Sequence, residues 1–291
     1  MDAVQVTSPD GRTLEALAAP AGAEIALVYH GGTPSAAVLF GLMRAVADEH
    51  RLRLVMYSRP GYATSDPHPG RTVGDAAGDV AAILDGIGVD RFVAVGWSGG
   101  GPHALACAAL LPHRCLGAAT IGGVAPLWPD TQAWLAGMGA ENVEEFSTAM
   151  SGSQRLTPWL QAAGQQLQDV QAAQVAAALG DLVSPVDVAS LSGEFAEWTA
   201  AMFRRAVSNG ITGWRDDDLA FVAPWGFSLD EITRPVTIWQ GDQDRMVPFS
   251  HGQWLASHVA GARAELRPGE GHLSLVLDRF GEVVDGLLAR I

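Results

Sequence analysis

The segment GWSGG at residues 96–100 is the feature that most constrains how this chain can fold. It follows the apolar run 92–95 and precedes a helical stretch of small residues, so the order strand, sharp turn, helix is predicted. A serine in such a turn adopts a strained backbone conformation that lifts its hydroxyl clear of the sheet. Gly96 and Gly100, two residues to either side of Ser98, leave room where strand and helix approach closely. The segment is therefore predicted to be a nucleophile elbow with Ser98 as the nucleophile.

A serine hydroxyl needs a base to take its proton, and a histidine held by a carboxylate commonly does this. Among the eight histidines, His272 fits best, because it follows the short apolar run 264–266 and precedes a helical pattern. Gly269 and Gly271 allow its loop to turn inward. No two histidines have a metal-ligand pattern, so no metal is expected. Four others lie on predicted helices or at their ends and are interpreted as packed or surface residues: His103, His113, His251 and His258.

Two carboxylates compete for the role of the residue that orients the histidine. Asp242 and Asp244 both lie in the loop that follows the buried-strand pattern 236–239. Asp242 directly follows Gly241 and is suited to a hydrogen bond within its own turn. The loop at 122–126, after the preceding strand, contains no acid. We therefore predict that Asp244 is the acid, which gives the chain order serine, aspartate, histidine.

The developing oxyanion of an acyl-transfer reaction needs hydrogen-bond donors, typically two backbone N–H groups. The amide of Gly99 is one candidate, because it directly follows the nucleophile at the start of the predicted helix, where the helix dipole favours negative charge. The second is expected from the segment HGGTP at 30–34, which follows the apolar run 25–29. Gly32 is the first choice, since a residue without a side chain allows close approach. Thr33 is the alternative if the loop is set one residue later.

Short apolar runs alternate with helical patterns along most of the chain, which predicts a parallel sheet with helices on both faces. A turn signal at 8–11 between two short strand patterns predicts an N-terminal hairpin. In such a sheet the reactive loops gather at the carboxyl ends of the strands. The later strand patterns are 25–29, 52–57, 92–95, 118–121, 236–239 and 264–266, and the helical patterns are 36–49, 73–87, 104–110, 249–259 and 273–291.

The alternation stops between residues 127 and 225, where helical amphipathic patterns take over. We predict that 127–225 form a helical cap subdomain, inserted into a core made of 1–126 and 226–291. Six of the nine tryptophans fall in this cap, where they are expected both to roof an apolar pocket and to attach the helices to the core. They are Trp128, Trp134, Trp159, Trp198, Trp214 and Trp225.

Two charged groups of the predicted cap receive structural interpretations. Glu194 and Glu197, with Arg204 and Arg205, are expected to form a solvated helix face. The run of three aspartates at 216–218 is interpreted as a loop that ends in a helix N-cap.

The composition limits the classes of partner and compartment. A net charge of −14 argues against nucleic acid and anionic membrane surfaces as partners and leaves a small-molecule substrate. Two cysteines cannot form a disulfide framework, and reduced thiols fit the cytosol. The first residues, MDAVQ, lack the basic and apolar regions of a signal peptide, and no run reaches membrane-spanning length. A cytoplasmic protein is therefore expected, with its oligomeric state open.

Taken together, these segments resemble the α/β-hydrolase superfamily. They occur in the family order and cover nearly the whole chain: HGG at 30–32, RPGY at 59–62, GWSGG at 96–100, GDQD at 241–244 and GH at 271–272. The resemblance implies an α/β fold with a mostly parallel eight-stranded sheet, helices on both faces and a cap inserted after the sixth strand. It also implies a cofactor-free triad of Ser98, Asp244 and His272. Members often read DRPGxG after the fourth strand, whereas Ser58 and Ala63 replace the acid and the second glycine here.

The expected function is that of a serine hydrolase, which cleaves an ester-like bond of a small, largely apolar substrate through an acyl-enzyme intermediate. Other reactions on the same triad stay open: a proline-iminopeptidase-like aminopeptidase, a carbon–carbon bond hydrolase or a perhydrolase. An aminopeptidase needs cap carboxylates that face the substrate amine, and Glu194 and Glu197 are the candidates. A more distant alternative is a ligand-binding protein that keeps the fold without turnover. The sequence does not identify the substrate, because specificity depends on the cap.

Overall fold

A computed structural model describes all residues from Met1 to Ile291. Its eight strands are β1 (Asp2–Thr7), β2 (Thr13–Ala18), β3 (Ile25–His30), β4 (Arg53–Ser58), β5 (Arg91–Trp97), β6 (Cys115–Ile121), β7 (Val236–Gly241) and β8 (Arg263–Arg267). They form one sheet in the order β1-β2-β4-β3-β5-β6-β7-β8. β2 pairs antiparallel with both β1 and β4, and all other neighbours are parallel. The prediction of a mostly parallel sheet that begins with a hairpin is confirmed.

Twelve α-helices complete the fold, and five of them cover the sheet. In chain order they are α1 (Gly41–Glu49), α2 (Ala76–Ile87), α3 (Gly100–Leu110), α4 (Thr131–Leu135), α5 (Ala140–Met150), α6 (Ser153–Leu167), α7 (Val175–Leu179), α8 (Pro185–Ser190), α9 (Gly193–Ala206), α10 (Thr212–Phe221), α11 (Phe249–His258) and α12 (His272–Leu288). α1 and α12 pack on one face of the sheet, and α2, α3 and α11 pack on the other. No helix has the length and apolar character needed to cross a membrane.

The central strands are buried on both faces, as the continuous apolar runs predict. Side chains alternate along a strand, so neighbouring residues enter opposite layers. In β3, Leu27 and Tyr29 pack with α1 and α12, whereas Ala26 and Val28 belong to the layer of α2 and α3. These strands therefore hold the loops at their carboxyl ends on a rigid base.

One predicted helix starts later than its pattern indicates. The pattern covers 36–49, but α1 begins at Gly41. The N–H of Ala37 donates to the Ser58 hydroxyl at 3.0 Å, and the indole of Trp198 donates to the Val38 carbonyl at 2.9 Å. The Val38 carbonyl, which a helix from residue 36 would have used in its own ladder, thus accepts a tertiary hydrogen bond instead.

Seven helices, α4 to α10, lie between β6 and β7, in the segment 127–225 that we predict to be a cap. The interpretation of residues 216–218 as a loop that ends in a helix N-cap is wrong. All three aspartates lie inside α10 and are buried. Asp216 and Asp217 are paired with arginines, and Asp218 lies beside the carboxyl group of Glu145.

Candidate active site

Ser98 occupies the sharp turn between β5 and α3. Its φ of 55° is in the left-handed region, which costs a residue other than glycine about 1–3 kcal/mol. The Ser98 N–H donates to the carbonyl of Ile121 at 2.8 Å and fixes the turn against β6. A side chain on Gly96 would collide with the Gly100 carbonyl, so strand and helix could not approach as they do. This is the geometry of the predicted elbow.

His272 is the first residue of α12, and Asp244 lies in the loop after β7. The Nδ1 atom of His272 is 2.7 Å from Oδ2 of Asp244, and both side chains are buried. The carboxylate also accepts hydrogen bonds from the backbone N–H groups of Met246 and Val247, at 2.9 and 2.8 Å, and from the Gln240 amide at 3.0 Å. Because a carboxylate can only accept, Nδ1 carries the proton and Nε2 is left free as a base.

The other acid of this loop has a separate partner. Oδ1 of Asp242 accepts from the N–H of Gly269 at 2.8 Å, which joins the loops after β7 and β8. The structure therefore brings Asp244, rather than Asp242, to His272.

The pKa of His272 is raised above its ordinary value. Burial alone would lower this pKa, because a charged imidazolium loses its hydration. The charge and hydrogen bond of Asp244, together with the charge of Asp187, outweigh that effect. The site therefore stabilises the imidazolium that forms when His272 accepts a proton.

Ser98 and His272 line the same cavity of about 320 Å³. Their side chains are not hydrogen-bonded to each other in this structure, and such contacts are often long before a substrate binds. The Trp97 indole donates to the His272 carbonyl at 3.2 Å, and the two ring centres are 5.4 Å apart. Nucleophile and base candidates thus share one cavity, with Asp244 bonded to the base.

The glycine loop after β3 packs directly onto the elbow. A Cβ atom on Gly32 would lie 3.2 Å from Cβ and 3.6 Å from Oγ of Ser98, and one on Gly99 would collide with the Thr33 hydroxyl. Gly32 and Thr33 both line the cavity. Both candidates for the second oxyanion amide are therefore beside the nucleophile.

A buried ion cluster, which our sequence reasoning missed, lies beneath this glycine loop. The guanidinium of Arg59 donates to the carbonyls of Gly31 and Gly32, at 2.6 and 2.5 Å. It also pairs with Asp217 of α10 at 2.6 Å, and Arg71 pairs with the same carboxylate at 2.6 Å. Burial alone would raise the pKa of Asp217. The charges of the two arginines lower this pKa by a larger amount, so the net shift is downward. Asp217 is therefore a charged residue that holds the arginine under the loop.

Most of the cavity wall is apolar. Thirteen of its 23 residues are hydrophobic, and helices between β6 and β7 supply most of them. Trp159 and Trp214 are the two tryptophans of this segment that line the cavity, with Met202 and Phe203 nearby. An acyl or alkyl group of modest size would be stabilised by moving from water into this cavity.

One side of the cavity is acidic. Glu141, Glu144 and Glu145 of α5 line it, whereas Glu194 and Glu197 do not. Burial raises the pKa of Glu145 to about 7, against hydrogen bonds from Asp218 and the Trp214 indole that lower it. Burial, followed by the charge of Glu145, also raises the pKa of Asp218 well above its ordinary value. Burial thus favours the protonated form of both carboxyl groups.

No group of three or more His, Cys, Asp or Glu side chains is arranged to hold a metal ion. Cys107 and Cys115 are free and buried, and burial raises the pKa of both thiols. Neither of them lines the cavity.

Comparison with known proteins gives consistent matches over the whole length. A model of the family described as alpha/beta hydrolase fold matches residues 27–278. An uncharacterized hydrolase, YcgS from Bacillus subtilis (strain 168), is 24% identical over 272 residues, which cover 93% of this chain and 92% of the relative.

Two solved structures of similar fold have named activities. The enol-lactonase from Burkholderia xenovorans LB400 superposes with a TM-score of 0.69 at 20% identity, covering 98% of this chain and 100% of that one. The esterase RhEst1 from Rhodococcus sp. ECU1013 gives 0.65 at 22% identity, with 99% of each chain covered.

Proposed function

The chain belongs to the alpha/beta hydrolase fold family and is a hydrolase, and we propose that it cleaves an ester-like bond of a small, largely apolar substrate. We propose that the reaction passes through an acyl-enzyme intermediate. One observation carries the proposal. Ser98, in its strained turn, shares an apolar cavity with His272, and the Asp244 carboxylate holds the proton of His272 on Nδ1.

In the first half of the reaction, Oγ of Ser98 attacks the substrate carbonyl carbon while Nε2 of His272 takes the hydroxyl proton. The carbonyl oxygen becomes an oxyanion, held by the backbone N–H groups of Gly32 and Gly99. When the tetrahedral intermediate collapses, the carbon–oxygen bond to the leaving group breaks and the imidazolium returns its proton to that oxygen. The acyl group remains on Ser98.

In the second half, water replaces the alcohol. Nε2 of His272 takes a proton from the water while its oxygen attacks the acyl carbon, and collapse returns the proton to Oγ of Ser98. The Asp244 carboxylate stays ionised throughout and stabilises the imidazolium twice in each cycle. The N-terminus of α3 adds a favourable dipole for the oxyanion, because Gly99 and Gly100 begin that helix.

The cavity supports the substrate class. Its apolar wall, with Trp159, Trp214 and Phe203, favours hydrocarbon groups on either side of the ester-like bond. The fold neighbours include an esterase and an enol-lactonase, whose names describe substrates with such bonds. We further propose that the partner of the enzyme is a small-molecule substrate and that the enzyme acts in the cytoplasm, a proposal that the two free, buried thiols support.

Covalent labelling tests this function directly. The folded enzyme is treated with a fluorophosphonate, and the modified residue is identified by peptide mass spectrometry. We expect one label on Ser98, and Ser98→Ala should abolish both the label and the hydrolysis of a panel of acyl esters of increasing length. Ser257→Ala is the matched control, since that hydroxyl is exposed at the end of α11 and should leave labelling unchanged. A folded wild-type protein without a label would instead indicate a ligand-binding protein.

The acidic side of the cavity favours one second candidate, an aminopeptidase of the proline-iminopeptidase type. Glu141, Glu144 and Glu145 line the cavity, where a substrate amine would meet them. They take the role that was predicted from the sequence for Glu194 and Glu197. The test compares prolyl anilides with acyl esters on wild type and on a double variant, Glu141→Gln with Glu144→Gln. Prolyl anilide activity that the double variant loses, while it keeps ester hydrolysis, would favour the aminopeptidase.

A further inference from the structure

The loop that carries His272 is tied to a residue far away in the chain. Asp187 of α8 is fully buried, and its carboxylate accepts hydrogen bonds from three successive backbone N–H groups. These belong to His272 at 3.1 Å, Leu273 at 2.7 Å and Ser274 at 3.0 Å. They are the first three N–H groups of α12, which have no acceptor within the helix. The interaction joins residues 85 positions apart.

Asp187 takes the place of a local N-cap. The residue before α12 is Gly271, which has no side chain to accept from the first turn. A Cβ atom on Gly271 would collide with all three atoms of the Asp187 carboxyl group. The Ser184 hydroxyl donates to the same carboxylate at 2.8 Å. The carboxylate thus fills a space that is shaped for it and receives donors on both oxygens.

We propose that Asp187, in the helical segment between β6 and β7, is a positioning residue for His272. It fixes the backbone of His272 and so sets the direction of the imidazole toward Ser98. The proposal rests on the function proposed above for His272. Reacting groups must lie within hydrogen-bond distance, and a displacement of about 1 Å can reduce turnover by on the order of 10²-fold. Asp244 holds the ring at Nδ1, and Asp187 holds the backbone that carries the ring.

The charge of Asp187 has a second effect. The N-terminus of α12 carries a partial positive charge, which would oppose an imidazolium on its first residue. Asp187 lies on that terminus and offsets it. The other charged groups around His272 are Asp244, on the loop after β7, and Glu270, which accepts from the Ser274 hydroxyl and pairs with Arg279. The ring of Trp97, at the end of β5, is uncharged.

The experiment compares Asp187→Asn with the wild type, because asparagine keeps the shape but removes the charge and one acceptor. We expect kcat to fall by on the order of 10-fold to 10²-fold with KM changed by less than about twofold. The acid limb of kcat/KM should also move to lower pH, which loss of a merely structural contact would not cause. Asp130→Asn is the control, since Asp130 caps α4 through the N–H of Ala133 at 3.0 Å, away from the cavity.

The rate of fluorophosphonate labelling, measured against pH, separates this inference from the proposed function. Absence of a label on Ser98 in the wild type would refute the proposed function itself. A wild type that labels, together with an Asp187→Asn variant of equal rate and equal pH midpoint, would overturn the positioning role. If Asp187→Asn does not fold, Ser184→Ala replaces it. The labelling rate should then fall by at least about twofold, because the carboxylate loses one of its donors, and an unchanged rate would overturn the role.

Discussion

The guanidinium of Arg59, in the loop after β4, lies 2.6 Å from the carboxylate of Asp217 in α10, and both side chains are buried. The same guanidinium binds the carbonyls of Gly31 and Gly32, so one arginine connects α10 to the loop beside the nucleophile. Arg71 pairs with the second oxygen of Asp217. The carboxylate is therefore the shared counter-charge of two buried cations.

Replacing Asp217 by asparagine should destabilise the protein strongly. Two guanidinium groups would stay buried without a counter-charge, and the loss of one member of a buried ion pair costs about 3–5 kcal/mol. The free energy of unfolding, measured in urea at pH 7, should fall by that amount. Asp216→Asn is the neighbouring control, because its single partner, Arg215 at 2.7 Å, is partly exposed and stays hydrated, so the variant should cost about 1 kcal/mol or less. Equal losses in the two variants would contradict this account of the cluster.

A methyl group on Gly32 should reduce activity without unfolding the protein. It would lie 3.2 Å from Cβ and 3.6 Å from Oγ of Ser98, where the substrate carbonyl must enter. We expect Gly32→Ala to lower kcat/KM for an acyl ester by on the order of 10²-fold, with the free energy of unfolding lowered by about 1 kcal/mol through the tight contact. Gly78→Ala in α2 is the control, since nothing lies within 4 Å of its new methyl group. Its activity should equal that of the wild type, and an unaffected Gly32→Ala would argue against an oxyanion site there.

The elbow and the loops around it could be predicted from the sequence because their signals are local. Glycines beside Ser98, a preceding apolar run and a following helical pattern all lie within a few residues of one another. The carboxyl ends of parallel strands meet at one edge of the sheet, so the loops after β7 and β8 were expected to supply the acid and the base. The turn role expected of Asp242 then left Asp244 as the acid. The alternation of patterns predicted the parallel sheet covered by helices, whereas the order of its strands comes from the structure.

The contacts of the helical segment could not be predicted in this way. Asp217 meets Arg59 across 158 positions, and Asp187 meets the start of α12 across 85. Amphipathic periodicity shows which face of a helix is buried, but it does not select the partner of that face. A run of three aspartates also suggests exposure, because charged residues are seldom buried unless they are paired. The pairing residue, Arg59, was visible only as part of the RPGY segment.

The carboxyl group of Glu145 should make stability depend on pH. Its pKa is about 7 in the folded protein and near 4.5 in an unfolded chain. Between these values the folded state keeps a proton that the unfolded state has lost, so the free energy of unfolding should fall as pH rises from 4.5 to 7. Glu145→Gln removes the contribution of Glu145 and should gain stability relative to the wild type across that window, while the raised pKa of Asp218 keeps a pH dependence of its own. Urea unfolding of both proteins at pH 4.5 and pH 7.5 measures it, and a constant difference between them would refute the assignment.

The pair of His272 and Asp244 should control the pH dependence of hydrolysis. His272 accepts a proton only when neutral, and its pKa is raised above 6.5, so kcat/KM should fall toward low pH with a midpoint above 6.5. Asp244→Asn removes the charge that offsets the lowering of the His272 pKa by burial. The midpoint should therefore move to lower pH, and kcat should drop by on the order of 10⁴-fold. Asp242→Asn, in the same loop, keeps an oxygen that can accept from the N–H of Gly269 and should retain kcat within about twofold. Loss of activity in Asp242→Asn with activity kept in Asp244→Asn would reverse the assignment of the acid.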